Sequence, residues 1–505
     1  MHMKKIKKII FIESRSPDFH IFSRTALPRL GTILLGTILK NAGYDVKSYV
    51  ETVEDLDLED ALSADLVGIS SITSTTPRSY EIAKVLQKSG VPVFMGGPHV
   101  TYMTEEALEH CDYVIRGEAD DIIVDFVKTL EAGKGFENIP GLSFKKDGAI
   151  VHNRTVASCK DVNTLPIPDF SIVHGLEQEA NKKLSLTPIM TSRGCPYDCS
   201  FCSVTQMFGQ KYRFRSMEKV MEELEYQLKR GTEWVFFYDD NFTANRQRTK
   251  ELLTEMIKRG LTPKWTAQVR VETAKDAELI DLMKRAGCHT VYIGFESVNP
   301  ETLKAYNKKQ SVGDIEHCIK ILHKNGIRIH GMFVFGSDMD DVSTIHETVR
   351  FAKKNDLESI QFMILTPLPG TRLHHELDKD GRIFSKDWSI YDAHHVVYSP
   401  KKMSYFELQS ETMQAYKDFY TLWQITKRLV RMDIHNVAIK AYGRNLIRKW
   451  ISKNQYFIDY THSITKAGRA IEIAAKKSAD DIKEKFHRIE LARLGSTQPK
   501  TKESF

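Results

Sequence analysis

Arg193-Gly194-Cys195-Pro196-Tyr197-Asp198-Cys199-Ser200-Phe201-Cys202 is the stretch on which the reading of this chain turns. Cys195, Cys199 and Cys202, separated by three and then two residues, suit three irons of a [4Fe-4S] cube. The fourth iron is then open to bind and reduce a small molecule. With 7 cysteines in 505 residues, two more at fixed offsets follow a given cysteine by chance with a probability of about 0.0002. A zinc site wants a fourth Cys or His at compatible spacing, and the neighbouring sequence supplies none. Unrelated buried thiols are the remaining alternative, and they are the simplest reading of Cys111, Cys159, Cys288 and Cys318. An odd total of cysteines argues against a disulfide framework and fits a reducing cytoplasm.

Outward from this run, short apolar strands alternate with helices. The spacing predicts strands at Pro188 to Thr191, Trp234 to Tyr238, Trp265 to Val269, Thr290 to Phe295, Arg328 to Phe335 and Ser359 to Leu365. Six such βα units make a partial (β/α)6 barrel of the TIM type, whose functional residues sit at the carboxyl ends of strands. The cysteine run follows the first strand. Asp239-Asp240-Asn241-Phe242 follows the second, Gln268 and Arg270 end the third, and Glu296 ends the fourth. Two prolines and a glycine stiffen Leu365 to Thr371 beyond the sixth. His330, Met332 and Phe335 read equally as cavity lining and as barrel filling.

The cysteine spacing, with aromatic Phe201 before the third cysteine, resembles the signature of the radical S-adenosylmethionine (SAM) superfamily. The resemblance implies that the open iron chelates the methionine part of SAM. An electron from the cluster then yields methionine and a 5′-deoxyadenosyl radical. It also implies roles at the strand ends: Asp240 near the SAM amino group, Gln268 and Arg270 near the carboxylate, Glu296 on the ribose. Tyr391, His394 and His395 are candidates for a proton acceptor near substrate.

Ahead of the barrel, strands at Ile9 to Ile12, Asp45 to Val50, Leu66 to Ser70, Val91 to Met95 and Tyr113 to Ile115 alternate with helices such as Gly31 to Asn41 and Ser79 to Ser89. This pitch predicts a Rossmann-like (flavodoxin-like) parallel sheet, with ligands at the carboxyl ends of its strands. No GxGxxG follows the first strand, which argues against a dinucleotide. Leu30-Gly31, Ser70-Ser71-Ile72, Gly96-Gly97-Pro98-His99 and Arg116-Gly117-Glu118 resemble the cobalamin-binding domain attached to one branch of radical SAM enzymes. That resemblance implies that Gly31, Gly96 and Gly97 leave room for the corrinoid's nucleotide tail and that Ser70 and Ser71 bond to it. His99 is a candidate corrin contact. Where related cobalamin domains place a cobalt-ligating histidine, Pro28 stands instead, and Asp18-Phe19-His20 lies too early to replace it.

The domains expected are a cobalamin-binding-like unit at 1–150, a linker at 151–183, the radical SAM core at 184–400, and a helical region at 401–505 with a disordered tail from Gly495. A net charge of +6 is mild for this length and does not indicate nucleic acid. No apolar run reaches the length of a membrane span, and the basic N-terminus lacks the cleavage site of a signal peptide. Ile439, Tyr442, Leu446, Ile447, Trp450 and Ile451, interleaved with basic residues, read either as a helix packed on the barrel or as one resting on an anionic membrane.

The domain order resembles the branch containing the anaerobic magnesium-protoporphyrin ester cyclase and the hopanoid methylases. Cysteine usage points to a cytoplasmic enzyme, and the membrane reading of the C-terminal helix would make it peripheral at the inner membrane face. Its cofactors would be a [4Fe-4S] cluster, SAM and cobalamin, and its reductant an external one-electron donor such as ferredoxin or flavodoxin. Its substrate would be a small molecule, lipid or tetrapyrrole. Methylation of an unactivated carbon is the leading expectation. Oxidative cyclisation, radical SAM chemistry without cobalamin, and a non-enzymatic corrinoid or redox sensor are the alternatives.

Overall fold

An unbroken apolar run needs cover on both faces, and Lys8–Glu13 (KIIFIE) finds it inside a sheet, between two neighbouring strands, with Ile9, Ile10 and Ile12 wholly buried. The computed structural model describes residues 5–16, 27–154, 159–176, 184 and 186–470. The sequence readings at Asp18 to His20 and Gly495 to Phe505 lie outside these. The first sheet joins β1 (Lys8–Glu13), β2 (Asp45–Val50), β3 (Leu66–Ser70), β4 (Val93–Gly96), β5 (Tyr113–Ile115), β6 (Leu142–Lys146) and β7 (Ala149–His152) in the order β2-β1-β3-β4-β5-β6-β7. The first five are parallel, in the flavodoxin-like order. Strands β6 and β7 form an antiparallel hairpin added at the edge, which the sequence reading did not foresee.

Helices α1 (Leu30–Asn41), α2 (Leu58–Leu62), α3 (Thr76–Lys88), α4 (Pro98–Tyr102), α5 (Thr104–Ala107) and α6 (Ile123–Glu131) cover this sheet. The expected linker is not a loose tether along its described part. Cys159, Val162, Leu165, Phe170, Ile172, Val173 and Leu176 are buried in the core beneath α1 and α6, and Val173 bridges to Ser48 of β2. Burying that much apolar surface ties the segment to the first domain.

The second sheet contains β8 (Thr187–Ile189), β11 (Trp234–Phe237), β12 (Lys264–Val269), β13 (Cys288–Glu296), β14 (Arg328–Phe335) and β15 (Ser359–Ile364), all parallel, in the order β15-β14-β13-β12-β11-β8. A separate ribbon, β9 (Ser192–Arg193) with β10 (Arg213–Phe214), brackets the cysteine run. Helices α7 (Val204–Phe208), α8 (Met217–Lys229), α9 (Arg246–Lys258), α10 (Ala277–Arg285), α11 (Pro300–Ala305), α12 (Val312–Lys324), α13 (Val342–Lys354) and α14 (Arg372–Lys379) complete the partial barrel.

Further helices follow, among them α15 (Tyr405–Phe419), α16 (Leu422–Val430) and α17 (Ile434–Lys453), with residues 455–470 also helical. Tyr416 and Tyr420 accept hydrogen bonds through their hydroxyls from the backbone N–H groups of Phe362 and Ile360, at 3.0 and 3.2 Å. Those bonds satisfy the free edge of β15, so the barrel's open side is sealed from within the chain. Helix α17 turns Leu446, Ile447 and Trp450 inward, and Lys440 is buried with them. The packed reading of Ile439 to Ile451 therefore holds for Leu446, Ile447 and Trp450, which meet protein, while Tyr442 is exposed. No helix among the described residues is long and apolar enough to cross a membrane.

Candidate functional site

The two sheets present the carboxyl ends of their strands to one another, and a cavity of about 490 Å³ lies between them. From the first domain it is lined by Gly31, Ser70, Gly96 and Gly97, and from the barrel by Met190, Tyr238, Asp240 and Gln268. A second cavity, of about 470 Å³, shares Arg29, Ile72 and Pro98 with the first and reaches Ser203, Gln361, Thr366 and Tyr391. The two lie side by side over the barrel mouth.

The small residues of the first domain are there for room. Gly97 has φ +104°, and a Cβ there would stand 2.5 Å from the Ser71 carbonyl oxygen. Gly31 has no heavy atom within 4 Å of its would-be Cβ, so a side chain would project into open space. Such a cradle fits an elongated group threaded between α1 and the strand ends. Ser70 lines it. Ser71 does not: its hydroxyl is buried against Thr76, and its N–H donates to the Gly96 carbonyl. The expectation that Ser71 bonds a ligand is corrected on that ground. His99 is also buried, edge-on to Trp388 with Glu106 3.6 Å away, and acts as packing between the domains.

Cys195, Cys199 and Cys202 sit in the loop between β9 and α7, all unbridged and all partly accessible. Gly194 (φ +93°) starts the loop where a Cβ would meet the Lys211 and Gly209 carbonyls at 2.8 and 3.0 Å. Contacts from the barrel then fix it. Arg372 pairs with Asp198 at 2.9 Å, the Leu373 N–H donates to the Ser200 carbonyl, and Arg270 stacks on Tyr197 at 3.9 Å. Phe201 packs edge-on to Tyr306 at 5.0 Å. Burial pushes the Cys202 thiol up to about 12, and a coordinated metal reverses that by favouring the thiolate. Among the described residues no three His, Cys, Asp or Glu side chains close around a single ion. A cubane is held differently, by thiolates at separate corners of a cage rather than around one ion.

The strand ends divide into lining and support. Asp239 is wholly buried and accepts from the N–H groups of Thr191 and Ser192 at 2.7 and 3.1 Å and from both hydroxyls, which pins the start of the cysteine loop. Asp240, one residue on, faces the cavity, and burial with Asp239 beside it raises its carboxyl to about 7. Gln268 lines the same wall. Arg270 is already held by Glu272 through two hydrogen bonds of 3.2 and 3.1 Å, so the expected carboxylate clamp has an internal partner. Glu296 sits at a register shift in β13 with φ +62°, its carboxylate 2.7 Å from Lys308. The irregularity turns the side chain out of the regular strand.

Tyr391 reaches the second cavity with its ring, while its hydroxyl donates to the Ser385 carbonyl. His394 is wholly buried and bonded to Asp392, with Gln409 on its carbonyl, and it lines neither cavity. His395 is likewise buried, between Asp392 and Asn454. Neither histidine reaches substrate, because the helices α15 and α17 cover them.

The sequence reading missed the joint between the domains. Arg193, immediately before the cysteine loop, donates to Glu118 at 2.8 Å and to Asp120 at 2.7 and 3.1 Å. Arg213, just beyond the loop, donates to Glu118 at 2.8 Å and to the Cys159 carbonyl at 2.7 Å. All four side chains are largely buried. The run Arg116-Gly117-Glu118 is visible in the sequence, but the arginine partners of Glu118 lie 75 and 95 residues away.

Comparison with known families and proteins agrees with this arrangement. The B12 binding domain family matches residues 23–127, and the radical SAM superfamily matches residues 189–352. An uncharacterised methyltransferase of Pyrococcus horikoshii is 31% identical, over 88% of this chain and 99% of its own length. Bacteriochlorophyllide d C-12(1)-methyltransferase of Chlorobaculum tepidum is 30% identical, over 90% and 96%. Among solved structures, the cobalamin-dependent SAM radical enzyme OxsB, with aqua-cobalamin and SAM bound, superposes with a TM-score of 0.67. It is 14% identical, over 89% of this chain and 76% of that one, and the likeness is one of fold.

Proposed function

Because the chain belongs to the radical SAM superfamily, in the group that carries a B12 binding domain ahead of the radical SAM core, we propose that it methylates an unactivated carbon of a small-molecule, lipid or tetrapyrrole substrate. It is a radical SAM enzyme, and its cofactors are a [4Fe-4S] cluster, SAM and cobalamin. When bound, they supply one electron for cleaving SAM to a 5′-deoxyadenosyl radical and a methyl group for the substrate. One observation carries the reading: a single cavity is lined by both the glycine cradle and the barrel strand ends beside the cysteine loop.

On this reading Cys195, Cys199 and Cys202 hold three irons, and Phe201 packs the loop's inner side. Asp240, Gln268 and Glu296 line the SAM site, with Arg270 positioning Tyr197 rather than clamping a carboxylate. Gly31, Ser70, Gly96 and Gly97 receive the corrinoid. Tyr391 borders the substrate in the adjoining cavity. The domains are 1–150, 151–183, 184–400 and 401–505, with the described part of 151–183 serving the first domain. An external one-electron donor such as ferredoxin or flavodoxin supplies the reducing equivalent.

The test is product analysis of the anaerobically purified holoenzyme, reduced and given SAM. A methylase forms S-adenosylhomocysteine as well as 5′-deoxyadenosine, with protein-bound methylcobalamin visible in the absorption spectrum. Formation of 5′-deoxyadenosine alone, with no methylcobalamin, would replace methylation by cyclisation or another radical outcome.

A further inference from the structure

Helix α16 is turned inside out. Its sequence is amphipathic, yet Arg428 is the residue it buries, paired with Asp433 and Asp356 at 3.1 and 3.0 Å. The opposite side exposes Leu422, Trp423, Leu429 and Val430, spaced i, i+1, i+7 and i+8 as one helical face requires. Trp423 is 73% exposed and Val430 85%. Met432 (83%) and Ile434, in the turn and at the start of α17, extend the patch. Solvated helices of a monomer show the reverse pattern, and an apolar patch of this kind marks a contact surface.

Charge identifies the occupant. Residues 421–453 contain eight lysines and arginines and one acidic residue, Asp433, which is already held by Arg428. Arg448 and Lys449 are exposed on α17, and Arg431, exposed between α16 and α17, shares Asp356 with Arg428 at 3.1 Å. A second copy of this chain would bring the same positive field against itself. Nucleic acid would leave Leu422, Leu429, Val430 and Met432 without apolar cover. We infer that this face docks on an anionic lipid surface, with Trp423, Val430 and Met432 entering the headgroup boundary and the flanking cations pairing with lipid phosphates. It is a different surface from the stripe of α17 that packs inward.

The docking face lies at the closed end of the barrel. Arg428 donates to the Asp356 carbonyl at 2.9 Å and Lys440 to that of Leu357, both in the loop leading into the amino end of β15. The barrel mouth therefore points away from the bilayer, and the contact is a tether rather than a substrate entrance.

Flotation of the full-length holoenzyme with phosphatidylcholine vesicles, with and without phosphatidylglycerol, tests this. We expect retention on the anionic vesicles only, reduced by salt and lowered about tenfold by Trp423→Gln/Val430→Gln/Met432→Gln, with cluster content and SAM cleavage unchanged. Arg431→Glu/Arg448→Glu/Lys449→Glu is expected to lower it comparably. Two results overturn the inference: wild type that does not float with anionic vesicles, or wild type and apolar triple variant that float equally. A wild-type dimer that dissociates in the apolar variant without vesicle binding assigns the face to a second copy instead.

Discussion

Cys199 and Gly97 are the two residues whose replacement separates the halves of the proposed chemistry. Cys199→Ala removes one of three thiolates from a loop held on several sides by barrel contacts. The fold is expected to survive while iron content and SAM cleavage are lost, as measured by iron analysis and 5′-deoxyadenosine formation. Cleavage at the wild-type rate would remove the cysteines from the site. Gly97→Ala acts on the other half. Its Cβ would overlap the Ser71 carbonyl in a left-handed backbone position, costing about 1–3 kcal/mol. Cobalamin retention on gel filtration is expected to fall while cluster content stays. Lys440 makes a different point about burial. Its amine lies 4.0 Å over the Phe419 ring, and burial lowers its pKa to about 8 from an ordinary 10.5. The unfolded chain thus binds more protons than the folded one between about pH 8 and 10.5, so this residue's penalty is greatest below pH 8 and fades as pH rises through that window. Lys440→Met is expected to stabilise the protein by about 1 kcal/mol at pH 7, part of the gain being offset by the lost ring contact, and by little at pH 10.5. Chemical denaturation at the two pH values checks this, and a larger gain at high pH would contradict it.

Elements were legible where local pattern decides them. Strands β1, β2, β3 and β14 lie within about a residue of their expected bounds because apolar runs and alternation flanked by turn residues set them locally. The βα alternation led directly to the parallel strands β1 to β5 and to the parallel second sheet, and the strand ends put Asp240 and Gln268 on one cavity wall, whereas Glu296 pairs with Lys308. What failed to show was direction. The period of α16 says that one face is apolar; Asp356, 72 residues earlier, together with Asp433, draws Arg428 inward and turns that face out. Likewise the polar lettering of Leu142–Lys146 and Ala149–His152 hides a hairpin that is defined by pairing with β5. His394 and His395 looked available beside Tyr391 because the helices that bury them come later in the chain. Contacts across long separations are set by tertiary packing, which local periodicity does not encode.

At the scale of the whole molecule, one carboxylate joins three distant stretches. Glu118 accepts from Arg193, from Arg213 and from the Cys159 N–H at 2.7 Å. Glu118→Gln keeps its shape but removes the charge facing two buried guanidinium groups, a loss of about 3 kcal/mol or more at the joint. SAM cleavage is expected to outlast methyl transfer in this variant, so the ratio of S-adenosylhomocysteine to 5′-deoxyadenosine falls; an equal loss of both products would make the joint a matter of stability alone. The same contact bears on how the protein is made. A chain emerging from its N-terminus completes Glu118 and Asp120 before Arg193 and Arg213 exist, and domains generally fold in that order. The first domain is then a finished surface against which the nascent cysteine loop takes its shape. Iron delivery during maturation then meets a loop whose two flanks, Arg193 and Arg213, are already anchored on the first domain, and a barrel synthesised alone would lack those anchors.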